Sequence, residues 1–361
     1  MATDPAGPRG AAAERAAAVV RPAIRELSAY HVPPARDCVK LDAMENPYGL
    51  PAALREEWLE VLRDAELNRY PDASAAPLKD RLREVFGIPA GASILLGNGS
   101  DELIQMIQMA VGGPVLAPVP TFVMYEMVAR FVDTGFVGVP LDAGFGLDGE
   151  AMLAAVRAHS PAVVFIAWPN NPTGNLFDED TVRRVIEAAP GLVVIDEAYH
   201  AFAGRSLMQC VAEYPNVLVM RTLSKLGLAG LRLGFAVGDP AWIDELEKLR
   251  LPYNVGVLTQ RSVEFALDHI EVFNEQAARI RAERERLAGE LSAAGYRCFP
   301  SDANFILFHC GNRDPGEVFQ ALLDGGVLIK NLSAAHPALA GCLRVTVGTP
   351  EENDRFLATI P

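Results

Sequence analysis

Ala162 to Ala167 reads AVVFIA, Leu192 to Ile195 reads LVVI, and Val217 to Met220 reads VLVM. Each is a continuous apolar run, the pattern of a strand covered on both faces. Asp178 to Ala189 and Gly204 to Tyr214 lie between them with room for helical crossovers. The stretch therefore reads as successive βαβ units of an α/β sheet. One connection differs. Only ten residues, 221–230, separate Met220 from the next strand-like run, Leu231 to Val237, and a parallel crossover needs a dozen or more. That strand is expected to run antiparallel, which gives a mixed, mostly parallel sheet flanked by helices.

From about Ala241 the character changes. Trp242 to Arg250 and Val263 to Leu291 are helix-rich, with Ile280, Leu287 and Leu291 on one helical face and Arg and Glu on the other. Shorter strand runs follow, Asn304 to Phe308 and Leu343 to Val347, with a helix between. The reading is an N-terminal arm over 1–40, a large domain over 41–260 and a smaller α+β C-terminal domain over 261–361. The boundary is placed within a long helix near residue 260. Asp4, Pro5, Gly7 and Pro8 suggest a frayed start to the arm.

Composition narrows the function classes. Of 361 residues, 50% are hydrophobic and 22% charged, ordinary globular values that exclude a mainly disordered chain. Five cysteines with no CxxC pair argue against a disulfide scaffold and against a thiolate zinc site, and no metal is expected. The net charge of −14 argues against nucleic acid as the main partner but leaves room for a small anion in a locally basic pocket. No apolar run is long enough to span a membrane. The N-terminus lacks a signal-peptide pattern, so a cytoplasmic location is expected.

Four segments carry chemistry, three of them at strand ends, where open α/β sheets bind ligands. Gly97-Asn98-Gly99-Ser100-Asp101-Glu102 precedes an apolar helical run, so a helix N-terminus there presents N–H groups to a phosphate. The same residues also suit a plain turn with Ser100 or Asp101 as N-cap. Trp168-Pro169-Asn170-Asn171-Pro172-Thr173-Gly174 is a rigid turn in which the Asn171 amide can donate to a ligand oxygen, or serve the turn alone. Asp196, directly after LVVI, is a carboxylate at the end of a buried strand, which is costly unless paired. A cationic ring nitrogen would pair it, with Tyr199 facing the same ligand; a helix cap and a core tyrosine are the alternative. Finally, Thr222 to Gly234 places Lys225 in a nearly uncharged stretch. Desolvation lowers a lysine's pKa and frees its amine as a nucleophile, while Thr222, Ser224 and Arg232 can hold an anion beside it.

Together the four segments describe a ligand with a phosphate, a basic ring nitrogen, a ring oxygen and an aldehyde, which is pyridoxal 5′-phosphate. Lys225 would bond the aldehyde and later shuttle a proton. Asp196 would keep the ring nitrogen protonated, and Asn171 and Tyr199 would hydrogen-bond the ring oxygen.

With these residues in place, the chain resembles the fold-type I, class II aminotransferases, and within them the histidinol-phosphate aminotransferases. The matching stretches are LDAMENPYGLP (41–51), RYPD (69–72), GNGSDE (97–102), PTFVMY (120–125), PNNPTG (169–174), VIDEAYHAF (194–202), RTLSKLGLAGLRLGF (221–235), ANFIL (303–307) and CLRVTVGTPEEN (342–353). The resemblance implies a homodimer acting on histidinol phosphate and on glutamate or 2-oxoglutarate in histidine biosynthesis. It implies that Tyr70 reaches the cofactor phosphate of the partner subunit, that Gly99, Ser100 and Asp101 join Thr222, Ser224 and Arg232 around the phosphate, and that Phe122 stacks on the pyridine ring. It assigns Tyr30, Lys330 and Arg344 to the substrate, Arg344 to its anion. Lys330 stands where many relatives carry arginine, and lysine keeps the charge without the fork geometry. His200 is read as structural. An aromatic amino-acid aminotransferase or a phospho-amino-acid decarboxylase of the same superfamily would share every cofactor residue. A ligand-sensing regulator would need a DNA-binding module for which the first 40 residues are too short.

Overall fold

The computed structural model describes residues 8–29 and 38–361. Its centre is a seven-stranded sheet in the order 93–98, 233–238, 217–222, 192–196, 163–167, 115–119, 136–140. Leu233–Gly238 is antiparallel to both neighbours and the remaining pairs are parallel. The short connection after Thr222 thus produces the one reversed strand that its length demands.

The continuous apolar runs follow from burial on both faces. Val193 and Ile195 enter one hydrophobic core with Ile94, Leu96, Ile166, Val219 and Phe235. Leu192 and Val194 enter the other with Leu95, Phe165, Leu218 and Met220. Successive side chains alternate across the sheet, so every position must be apolar when helices cover both sides. The crossover Glu179–Ala188 is a regular helix capped by Asp178, whose carboxylate accepts from the Thr181 N–H. The expected helix over 204–214 is only partly formed. Single turns at His200–Ala203 and Cys210–Glu213 flank a loop, because Ser206 and the Leu207 N–H bind the Glu197 carboxylate.

The C-terminal part has its own four-stranded antiparallel sheet, in the order 330–331, 342–346, 305–309, 297–298. Its core contains Leu287, Leu291, Ile306, Phe308, Leu343 and Phe356, and also Leu41 from the other end of the sequence. Val39–Lys40 pairs in parallel with Val327–Leu328. Helices Val257–Asp268 and Ile270–Ala293 are separated at His269. The second of them packs Phe273 in the core of the large sheet and Leu287 and Leu291 in the C-terminal core. In the arm, Pro8 opens an alanine-rich helix to Val19, carried by alanine's high helix propensity; Asp4, Pro5 and Gly7, where a frayed start was expected, lie outside the described residues.

Candidate active site

A cleft lies beyond the carboxyl ends of the parallel strands, where the topology of open α/β sheets puts ligands. Ser100, Asp101, Phe122, Asn171, Asp196, Tyr199, Thr222, Ser224, Lys225 and Arg232 all line it. Four segments scattered over more than 130 residues of sequence therefore converge on one space.

One end is built for an anion. The helix Gly99–Ala110 starts there, and no side chain caps it, so neither Ser100 nor Asp101 is the N-cap. The Asn98 amide is turned away to the Asn254 carbonyl at 2.7 Å. Uncapped N–H groups at the positive end of a helix dipole attract a phosphate. Two glycines make the close approach possible. A Cβ on Gly234 would lie 2.6 Å from the carbonyl carbon of Gly99, and one on Gly99 (φ +77°) would lie 2.6 Å from the Arg232 guanidinium. Thr222 donates to Ser224 at 3.0 Å. Arg232, itself left-handed at φ 51°, reaches Ser224 at 3.4 Å and Asp101 at 3.3 Å.

The floor carries Asp196. The residue is buried at the cleft wall, 3% exposed, and its hydrogen-bond donors are the Tyr125 hydroxyl at 2.7 Å and the Ala198 N–H at 3.0 Å. Burial drives its pKa up to about 6, against the lowering effect of the Tyr125 hydroxyl. Burial likewise raises the Tyr199 phenol, opposed by Arg344. Phe122 stands edge-on to Tyr125, ring centroids 5.7 Å apart. Asn171 turns its carbonyl oxygen to Arg344 at 2.6 Å, which leaves its NH₂ group for the cleft. Its neighbour Asn170 serves the turn, binding Thr173 and the Pro120 carbonyl.

Lys225 sits in a single π-helical turn, Ser224–Leu228, that is interrupted at Gly227 (φ 138°). Its ammonium donates to the Ala43 carbonyl at 3.0 Å. Burial, reinforced by the charge of Arg344, lowers its pKa to about 8, which brings the neutral, nucleophilic amine within reach at mildly alkaline pH. Asn46 ties this turn to the long helix, donating to Leu226 O at 2.8 Å and to Gln276 at 3.0 Å.

Lys330 and Arg344 line an adjoining cavity. They are register partners on adjacent strands and so project from the same face of the small sheet. Met44, Phe122 and Asn171 border both spaces. Two predicted residues are not in this assembly. Tyr70 is 80% exposed and stacks on Tyr253 at 4.4 Å. Tyr30 lies outside the described residues. His200 is partly buried, with its Nδ1 3.2 Å from the Glu197 carbonyl, and its pKa is pushed well below the ordinary value by desolvation and by Arg221. Sequence reasoning missed Tyr125, Met44 and Asn46. For Tyr125 the signal was its place one helical turn after Phe122 in PTFVMY.

The cleft fits pyridoxal 5′-phosphate on the chemistry of its donors. A buried carboxylate with only neutral donors calls for a cation, an uncapped helix start calls for an anion, and a desolvated lysine stands near both. Among the described residues no cluster of His, Cys, Asp and Glu could hold a metal ion, and no helix is long and apolar enough to cross a membrane.

The comparisons agree with this geometry. The family described as "Aminotransferase class I and II" matches residues 36–360, and the chain belongs to it, in its histidinol-phosphate aminotransferase branch. It is 53% identical to "Histidinol-phosphate aminotransferase 2" of Cupriavidus pinatubonensis over 94% of both chains. It is 54% identical to "Histidinol-phosphate aminotransferase 1" of Ralstonia nicotianae, over 94% of this chain and 92% of the relative. The crystal structure of histidinol-phosphate aminotransferase from Sinorhizobium meliloti in complex with pyridoxal-5′-phosphate superposes with a TM-score of 0.84 at 25% identity, covering 95% of this chain and 96% of that one.

Proposed function

We propose that this chain exchanges an amino group between L-glutamate and imidazole acetol phosphate, forming L-histidinol phosphate and 2-oxoglutarate in histidine biosynthesis, by a reaction that also runs in reverse. When bound, pyridoxal phosphate supplies the electron sink for cleaving the substrate Cα–H bond. Lys225 would hold the cofactor aldehyde and, once displaced by the substrate amine, its free amine would carry the proton from the substrate Cα. Asp196 keeps the ring nitrogen protonated, and Asn171 and Tyr199 orient the ring oxygen. Phe122 covers the ring, and Gly99, Ser100, Asp101, Thr222, Ser224 and Arg232 bind the phosphate. Tyr70 serves the cofactor phosphate of the partner subunit in a cytoplasmic homodimer. The large domain (41–260) carries the cofactor, and the arm and the C-terminal domain (261–361) complete the substrate side.

The observation that carries the substrate choice is that two adjacent cavities share Met44, Phe122 and Asn171 in their linings. One contains Lys225 and Asp196, and the other contains the two cations Lys330 and Arg344. A dianionic phosphate and a dicarboxylate can share such a pair. Tyr30 is the third substrate residue on the strength of resemblance. The test is a half-reaction followed by cofactor absorbance. Cofactor-loaded enzyme is mixed separately with histidinol phosphate, glutamate and phenylalanine. Rapid conversion by histidinol phosphate and glutamate, at concentrations where phenylalanine acts slowly, is expected. Fast conversion by phenylalanine and none by histidinol phosphate would make the enzyme an aromatic aminotransferase.

A further inference from the structure

Tyr125 is held at two points by groups outside the four chemical segments, Phe165 and Gln108. Its side chain is fully buried at the start of the helix Met124–Phe131. Its ring lies flat on Phe165 of the central sheet, centroids 4.6 Å apart and planes 14° from parallel. Its backbone carbonyl accepts from the amide of Gln108 at 3.0 Å, and Gln108 is 1% exposed on the helix that opens the anion site. Thus fixed, its hydroxyl points at Asp196 Oδ2 at 2.7 Å. Burial and the neighbouring carboxylate raise the phenol pKa well above the ordinary value, so the group stays a donor. Neutral donors to a buried carboxylate favour its ionised form.

We propose that Tyr125 is a positioning residue for the cofactor ring: its hydroxyl orients Asp196 and keeps that carboxylate ionised, while the same turn presents Phe122 to the ring face. This rests on the reading that Asp196 faces the ring nitrogen. The charged and titratable groups around Asp196 are few. Asp101 and Glu197 oppose its ionisation, Tyr199 lies close by, and among the described residues Tyr125 is the only side chain whose hydrogen bond favours the charged form. Without the hydroxyl, the carboxylate takes up its proton at a higher pH and then no longer attracts a ring cation.

The test is cofactor retention in the holoenzyme, read by dialysis and absorbance across the acid range, for wild type, Tyr125→Phe, Asp196→Asn and the double variant. Phenylalanine keeps the stack on Phe165. The cofactor dissociation constant at neutral pH should rise about tenfold in Tyr125→Phe, the effect of one charge-assisted hydrogen bond. The acid midpoint of cofactor release should move up by about one pH unit. The double variant should match Asp196→Asn alone, because the hydroxyl acts only through that carboxylate. If Asp196→Asn weakens retention but Tyr125→Phe leaves both midpoint and affinity at wild-type values, the assignment of Tyr125 is overturned. A Tyr125→Phe loss that adds in full to that of Asp196→Asn would also overturn it. If Asp196→Asn itself retains cofactor normally, the reading of Asp196 fails first.

Discussion

Asp196 and Glu197 stand next to each other at the end of one strand, both buried, and the protein surrounds them differently. Glu197 has its own cation. Arg221 donates to it twice, at 2.7 and 2.9 Å, and Ser206 adds a bond at 3.0 Å. Asp196 has a phenol and a backbone N–H, and it lines the cleft. A carboxylate that is neutralised within the chain belongs to the fold. One that receives only neutral donors and faces a cavity belongs to a ligand, because the cost of burying its charge is offset only when a cation arrives.

Substitution of each residue should therefore break a different property. Asp196→Asn is expected to lower the amino-transfer rate on the order of a thousandfold, the scale of losing one preorganised electrostatic partner. The thermal stability of the cofactor-free chain should not fall; a fall would mean that Asp196 is structural. Glu197→Ala leaves Arg221 buried without its counter-charge and should destabilise the chain by about 3–5 kcal/mol, measured by denaturant unfolding. The fraction that remains folded should still bind cofactor.

The pH dependence sharpens the contrast. Burial raises Asp196 from the ordinary 3.8 to about 6. A raised carboxyl contributes stability that is full below the unfolded pKa and is lost as pH rises through the folded one. Between about pH 4 and pH 7 the cofactor-free wild type should lose on the order of 3 kcal/mol relative to Asp196→Asn. Parallel unfolding curves for the two proteins across that range would contradict the assignment. The smallest effect belongs to the substrate side. Lys330→Arg should lower the KM for histidinol phosphate by a few fold, roughly the gain from bidentate pairing, with cofactor affinity unchanged. A change in cofactor affinity would place Lys330 on the wrong side of the cleft.

Much of this site was legible in the sequence because its parts sit where local grammar is strong. Apolar runs stop just before Asp196 and Arg221, Gly97 and Gly99 lead into Ser100, and Lys225 shares its stretch 222–234 with one other charge, Arg232. What escaped depends on contacts between distant segments. Glu197 and Arg221 meet because Asp196 is in register with Met220 across parallel strands, and the charged residues following two adjacent apolar runs were the available clue. Tyr125 finds Asp196 across 71 residues, a contact that no local pattern encodes. The loop after Ala203 replaced a predicted helix for the same reason, since its backbone is needed to satisfy Glu197.

The central claim is that a desolvated Lys225 is the cofactor's attachment point. The chain has only five lysines, Lys40, Lys79, Lys225, Lys248 and Lys330, so the claim can be tested directly. The protein is loaded with pyridoxal phosphate, reduced with borohydride, digested and mapped by mass spectrometry. A single phosphopyridoxyl group on Lys225 is predicted, with label uptake rising through about pH 8 as the amine loses its proton. Modification of Lys330 or of the surface lysines, with Lys225 unlabelled, would contradict the account.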